Sequence, residues 1–138
     1  MKQIIQLAGI LSLVFSLNSL TAGTVAIDGE GAPSAVVVKM HADWCPSCKA
    51  LEPTLAELKT ELEDEPVLFL NFDITNPVNT EQSRLLAETL GIENLFKKNN
   101  KTGLVLVYDP KTMETKHVFT RSDSMEAMKK GIMDMADS

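Results

Sequence analysis

Scarcity defines this chain of 138 residues: 2 cysteines, 1 tryptophan, 1 tyrosine, and 13 basic residues against 19 acidic ones. Two cysteines cannot build a disulfide-stapled miniprotein or a four-cysteine zinc site. A formal charge of −6 argues against nucleic acid, whose phosphates demand a basic patch. Mean hydropathy is +0.01, which excludes both a membrane bundle and a disordered acidic tail. The length suits one domain and is too short for two ordinary ones. No internal repeat or low-complexity segment interrupts it.

What is present begins with an address. Lys2 precedes a mainly apolar stretch from Ile4 to Leu20, and small residues follow at Ala22, Gly23 and Ala26. This is the layout of a secretory signal peptide over residues 1–22, with Ala26 as the fallback cleavage point. The alternative is an uncleaved anchor, although Gln6, Ser12, Ser16 and Asn18 interrupt the apolar run. No cysteine lies near the junction, so a lipoprotein signal is absent. Removing residues 1–22 takes away Lys2 and no acid, leaving 12 basic and 19 acidic residues, a net of −7. The protein is therefore expected to be exported, periplasmic or secreted, or else anchored and facing outside the cytoplasm. A close cysteine pair there is open to oxidation unless a dedicated reductant serves it.

The remaining chain divides into a lead-in over residues 23–33 and one domain over 34–138. Ala35 to His41 is a β-branched run that predicts a buried strand. From Cys45 to Glu63 the pattern turns helical, with Leu51, Leu55, Leu58 and Leu62 on one stripe and a kink expected at Pro53. Val67 to Phe72 predicts a second strand. Asn79 with Gln82 suggests a capping box for a second helix, with Leu85, Leu86 and Leu90 as its apolar face and Gly91 as its stop. Asn94 to Lys101 reads as a polar loop whose Lys97, Lys98 and Lys101 could steer acidic partners. Leu104 to Tyr108 and Lys116 to Thr120 read as a hairpin about the Asp109-Pro110-Lys111-Thr112 turn. Asp123 with Glu126 would cap a last helix carrying Met125, Met128, Ile132 and Met135 on one face, a stripe better suited to the core than to a soft metal. The expected class is α/β: a central mixed β-sheet of at least four strands flanked by helices.

The chemistry-bearing segment is Trp44-Cys45-Pro46-Ser47-Cys48-Lys49. It follows a strand and opens a helix, whose free N–H groups and dipole favour a thiolate. Pro46 suits the first helical position. Two intervening residues let both sulfurs meet across the first turn. Cys45 is the natural attacking thiol and Cys48 the natural resolving thiol. An ordinary cysteine is only about 3% thiolate at pH 7; a pKa near 7 would raise that to about half.

This segment resembles the active-site signature of the thioredoxin superfamily. Pro53, Phe72-Asp73 before a helix, Gly91-Ile92, the hairpin and the final helix follow the same order, over about residues 34–136. The resemblance implies a thioredoxin-like fold and thiol–disulfide oxidoreductase activity. Cys45 would be the nucleophile and Cys48 the resolving cysteine, with Trp44, Pro46 and Ser47 flanking them. Two positions depart from the pattern. Thr102 stands where the family carries a cis-proline facing the cysteines, after a longer loop. Lys39 stands where many members carry a buried aspartate. A cation there could lower the Cys45 pKa, or it could simply reach solvent along its apolar stem.

The resulting expectation is a monomeric exchanger of dithiol for disulfide, acting as a reductase outside the cytoplasm. Its partners would be protein thiols and disulfides and an unidentified redox partner; neither nucleic acid nor an organic cofactor or metal is called for. A membrane enters only if the N-terminal segment stays uncleaved. The alternatives are an oxidase or isomerase of the same fold, and a redox-inert or metal-carrying binding module in which His41 and His117 would join the cysteines.

Overall fold

A computed structural model describes residues 31–138; the 1–22 address and most of the 23–33 lead-in lie outside the described residues. Eight elements follow in order: β1 (Ala35–His41), α1 (Pro46–Glu61), β2 (Val67–Asp73), α2 (Pro77–Thr89), α3 (Glu93–Lys98), β3 (Leu104–Asp109), β4 (Glu114–Phe119) and α4 (Met125–Ala136). They form one mixed sheet in the order β2-β1-β3-β4. β1 pairs parallel with β2 and antiparallel with β3, which turns back into β4.

β1 is central, and both its faces are covered. This is why its sequence is a nearly continuous apolar run rather than an alternating one. Val36, Val38 and Met40 join Phe72, Leu106 and Tyr108 beneath α2 and α3. Val37 joins Val105 and Val107 beneath α1 and α4. The leucine stripe of α1 enters this second core, with Leu51, Leu58 and Leu62 buried. Met128 and Ile132 of α4 meet it there, so the methionine stripe is core packing.

Three local expectations need correction. The cap of α2 is Asn76, whose Oδ1 accepts from the Asn79 N–H at 3.0 Å, and Pro77 takes the first helical position. The helix docks through the face that carries Ser83, Ala87 and Leu90, while Leu85 and Leu86 are exposed. The cap of α4 is Ser124, because the Asp123 carboxylate is engaged by the Thr120 N–H and hydroxyl. The stretch expected to be a polar loop contains α3. Leu95 is buried there, Phe96 meets Phe72 edge-to-face at 5.3 Å, and Glu93 pairs with Lys97 one turn on. Two apolar anchors were enough to fold a lysine-rich segment onto the sheet.

Gly91 stops α2 as expected. It adopts φ +73, its N–H donates to the Glu88 carbonyl, and the Ile92 N–H reaches back to the Ala87 carbonyl. These two bonds satisfy the last carbonyls of the helix. Among the described residues no helix is long and apolar enough to cross a membrane.

Candidate active site

β1 ends at His41, and four residues later the chain turns into α1. Cys45 is the cap of that helix, in extended conformation, and Pro46 is its first residue. The Cys45 Sγ accepts the Cys48 N–H at 3.2 Å, in the place where a serine or aspartate oxygen would normally cap. A sulfur in that position gains from ionisation, because the helix end offers donors and positive potential.

The two thiols, both free, are made unequal by their surroundings. Burial opposes ionisation of Cys45, but the Cys48 thiol, the Thr102 hydroxyl and the N–H groups of Cys48 and Ser47 outweigh it. Its pKa therefore lies below the ordinary thiol value. Cys48 is fully enclosed, whereas Cys45 keeps 6% of its surface exposed. Burial, then the Cys45 side chain, push the Cys48 pKa up. Its S–H donates to the Met40 carbonyl at 3.5 Å.

Thr102 reaches the site because Gly103 lets it. Gly103 adopts φ +76, and its N–H donates to the Met40 carbonyl at 2.9 Å. A Cβ on Gly103 would lie 2.8 Å from the Ser47 Cβ and 3.5 Å from the Cys45 Sγ. The segment entering β3 is thus pressed directly against the first turn of α1. Sequence reasoning singled out Thr102 but not Gly103. The signal was a glycine at the entry to a strand, where close backbone approach is one standing explanation.

Trp44 stands 64% exposed beside the thiols, yet its indole N–H donates to the Thr75 carbonyl at 3.1 Å. The Thr75 hydroxyl also accepts the Asp43 N–H at 3.0 Å. Thr75 is itself held by Asp73, whose carboxylate accepts from the Thr75 N–H and hydroxyl and from Asn79. Burial opposes ionisation of Asp73, but these bonds and the nearby His41 keep its pKa below the usual carboxylate value. Asp73 and Thr75 were not singled out from sequence; only the turn at the end of β2 shows their role.

Lys39 is mostly buried and places its ammonium 3.2 Å from the Glu52 carboxylate of α1. Lys97 and Lys98 lie on α3, and Lys101 precedes Thr102 at the site's edge. His41 ends β1, with its Nε2 3.1 Å from the Asp43 carboxylate. His117 is on β4, two strands away, stacked on Phe119. The four-ligand arrangement of His41, His117 and the two cysteines does not assemble. Among the described residues no group of three histidine, cysteine or acidic side chains converges on a metal position.

The family model described as thioredoxin matches residues 28–102, just over half of the chain. Similar solved structures include a point-mutant thioredoxin from Halobacterium salinarum, at 16% identity and TM-score 0.50, covering 80% of this chain and 88% of that one. The oxidised thioredoxin from Plasmodium falciparum covers 75% and 83% at 16% identity and TM-score 0.47. Thioredoxin f2 from Chlamydomonas reinhardtii covers 76% and 79% at 23% identity and TM-score 0.45. Likeness at these identities bears on fold alone. No curated protein matches the chain in sequence.

Proposed function

The chain belongs to the thioredoxin family, and from that premise we propose that it exchanges dithiol for disulfide with protein substrates through Cys45 and Cys48, as a reductase outside the cytoplasm. The observation that carries this reading is the inequality of the pair. Cys45 caps α1 with a lowered pKa, and Cys48 waits one turn behind it with a raised one. The Cys45 thiolate attacks a substrate disulfide, forming a mixed disulfide and releasing one substrate thiolate, which takes up a proton. Cys48 then attacks the Cys45 sulfur. The Cys45–substrate bond breaks, the second substrate thiolate leaves, and the pair ends oxidised. Trp44 and the backbone at Thr102 and Gly103 border the approach to Cys45, and Pro46 and Ser47 shape the turn between the sulfurs.

Reduction of an insulin-type protein disulfide tests the mechanism. Cys45→Ser should abolish turnover, and Cys48→Ser should accumulate the mixed disulfide. Turnover independent of Cys45 would sink the mechanism. The direction is read from the equilibrium potential of the pair against glutathione. A reductase belongs near the value of thioredoxins, about −270 mV, whereas a value near about −120 mV would make the protein an oxidant. The exported setting rests on the Lys2 to Ala22 layout. A mature N-terminus at Gly23, read by mass spectrometry, is the expected result. An intact N-terminus in the membrane fraction would replace export by anchoring.

A further inference from the structure

The exchange reaction leaves one proton to be placed. Cys48 must lose its thiol proton when it attacks the mixed disulfide, and burial with Cys45 close by makes that loss costly. Of the two acceptors within reach of its S–H, the Cys45 sulfur is spent in the mixed disulfide, and the Met40 carbonyl accepts a hydrogen bond but is no base. The ionisable groups toward the end of β1 and at the end of β2 divide clearly. Lys39 is an ammonium, and the Asp73 carboxylate is occupied by Thr75 and Asn79.

His41 differs. It is only 8% exposed, and its Nε2 lies 3.1 Å from the Asp43 Oδ1. A carboxylate only accepts, so Nε2 carries the hydrogen and neutral His41 has its lone pair on Nδ1. That Nδ1 is buried without a hydrogen-bond partner among the described residues, 4.0 Å from the Glu52 Oε1. Glu52 lies four residues after Cys48 on α1, on the same helix face. Helical side chains lean toward the preceding turn, which here is the turn of Cys48. The same Oε1 that faces His41 accepts from Lys39.

We propose that His41, acting with Glu52, receives the proton that Cys48 loses in the second exchange step. Asp43 on the loop after β1 fixes the tautomer. Glu52 connects the turn of Cys48 to Nδ1. The Cys48–Cys45 bond forms, the Cys45–substrate bond breaks with its electron pair leaving on the substrate thiolate, and the proton rests on the imidazole. The imidazolium then faces the carboxylates of Asp43 on the loop, Glu52 on α1 and Asp73 at the end of β2, opposed by the Lys39 ammonium on its own strand. His41 works through Glu52 and is a positioning residue for the thiol chemistry.

The inference rests on the exchange reading, and one assay separates the two. Reduced protein is mixed with a dithiobis(nitrobenzoate) probe in stopped flow. The first nitrothiolate released reports attack by Cys45, and the second reports resolution by Cys48. In His41→Gln the first release should stay within about twofold of wild type. The second should slow by about 100-fold or more near neutral pH, the low end of the range for a lost proton acceptor, and rise about tenfold per pH unit as hydroxide takes over. Glu52→Gln should slow the second release in the same sense, and it decides the matter if His41→Gln does not fold. A second release with wild-type rate and pH profile overturns the proposal, as does equal slowing of both releases. A wild-type protein that never gives the second release overturns the exchange reading itself.

Discussion

Replacing Gly103 by alanine perturbs the site at its closest backbone contact, and Gly91 supplies an internal control. Both glycines adopt nearly the same conformation, φ +76 and φ +73. A Cβ on Gly91 meets nothing within 4 Å, whereas one on Gly103 meets the Ser47 Cβ at 2.8 Å. Gly91→Ala therefore isolates the backbone penalty. That is about 1–2 kcal/mol for a left-handed non-glycine residue, reduced by about 0.4–1 kcal/mol through the stiffer unfolded chain. Gly103→Ala carries the same two contributions and adds overpacking, about 1–3 kcal/mol. Neither Ser47 nor Gly103 can give way cheaply, because Ser47 lies in the first turn of α1 and the Gly103 N–H is tied to Met40. The expected loss is roughly 2–4 kcal/mol for Gly103→Ala against roughly 1 kcal/mol for Gly91→Ala. At about 4–8 °C per kcal/mol, thermal unfolding should fall by roughly 10–25 °C in the first variant. Urea unfolding of the reduced proteins gives the free energies directly. Relief of the clash also moves Thr102 away from Cys45, so the Cys45 thiol of Gly103→Ala should titrate at higher pH than wild type, whereas that of Gly91→Ala should not. Equal destabilisation of the two variants, with unchanged Cys45 titration in both, would refute the close approach as the reason for glycine at Gly103.

Three further outcomes follow from the same geometry. Thr102→Val removes a hydroxyl donor from the Cys45 sulfur, so the Cys45 pKa should rise and alkylation at neutral pH should slow several-fold; an unchanged thiol titration would remove Thr102 from the site. Asp73→Asn weakens the bonds that hold Thr75, at a cost of about 1.5–3 kcal/mol for charged hydrogen bonds. Because the folded pKa of Asp73 is depressed, its stabilisation is present above the unfolded carboxylate value and is lost as pH falls through the folded one. Emission from Trp44, the single tryptophan, should report that acid transition in wild type and not in Asp73→Asn. For the thiols the signs oppose. The lowered Cys45 pKa gives stability that is present above the ordinary thiol value and lost as pH falls through its folded value; the raised Cys48 pKa gives stability present below the ordinary value and lost as pH rises. The reduced-minus-oxidised stability difference should therefore peak near the ordinary thiol pKa, and a monotonic difference in denaturant titrations would contradict the assigned inequality.

Much of the fold was legible because its signals are local. The Ala35 to His41 run, the leucines of α1 and the Asp109 turn each depend on near neighbours in sequence, and each is found where expected. The misread segments show where locality ends. Asn76 competes with Asn79 for the cap of α2, and Pro77 decides in favour of Asn76 by fitting the first helical position. Leu85 and Leu86 look like core residues and are exposed, because α2 docks on the sheet through the face of Ser83, Ala87 and Leu90. Leu95 and Phe96 were hidden among lysines, and only the facing Phe72 and the core beneath α2 make a helix of them.

The sequence by itself determined the pair. Spacing, the preceding strand and the proline at the helix start place Cys45 at a cap and Cys48 one turn behind, since these are properties of a single helix end. Tertiary structure decided what surrounds the pair. Thr102 comes from the entry to β3, Asp73 and Thr75 from the end of β2, and Glu52 closes on Lys39 and His41 only because α1 lies across β1. Those contacts join segments far apart in the chain, where helix and strand periods carry no information about which residues will meet. The difference in pKa between two chemically identical thiols arises there, from burial and donors that exist only once the sheet has brought them together.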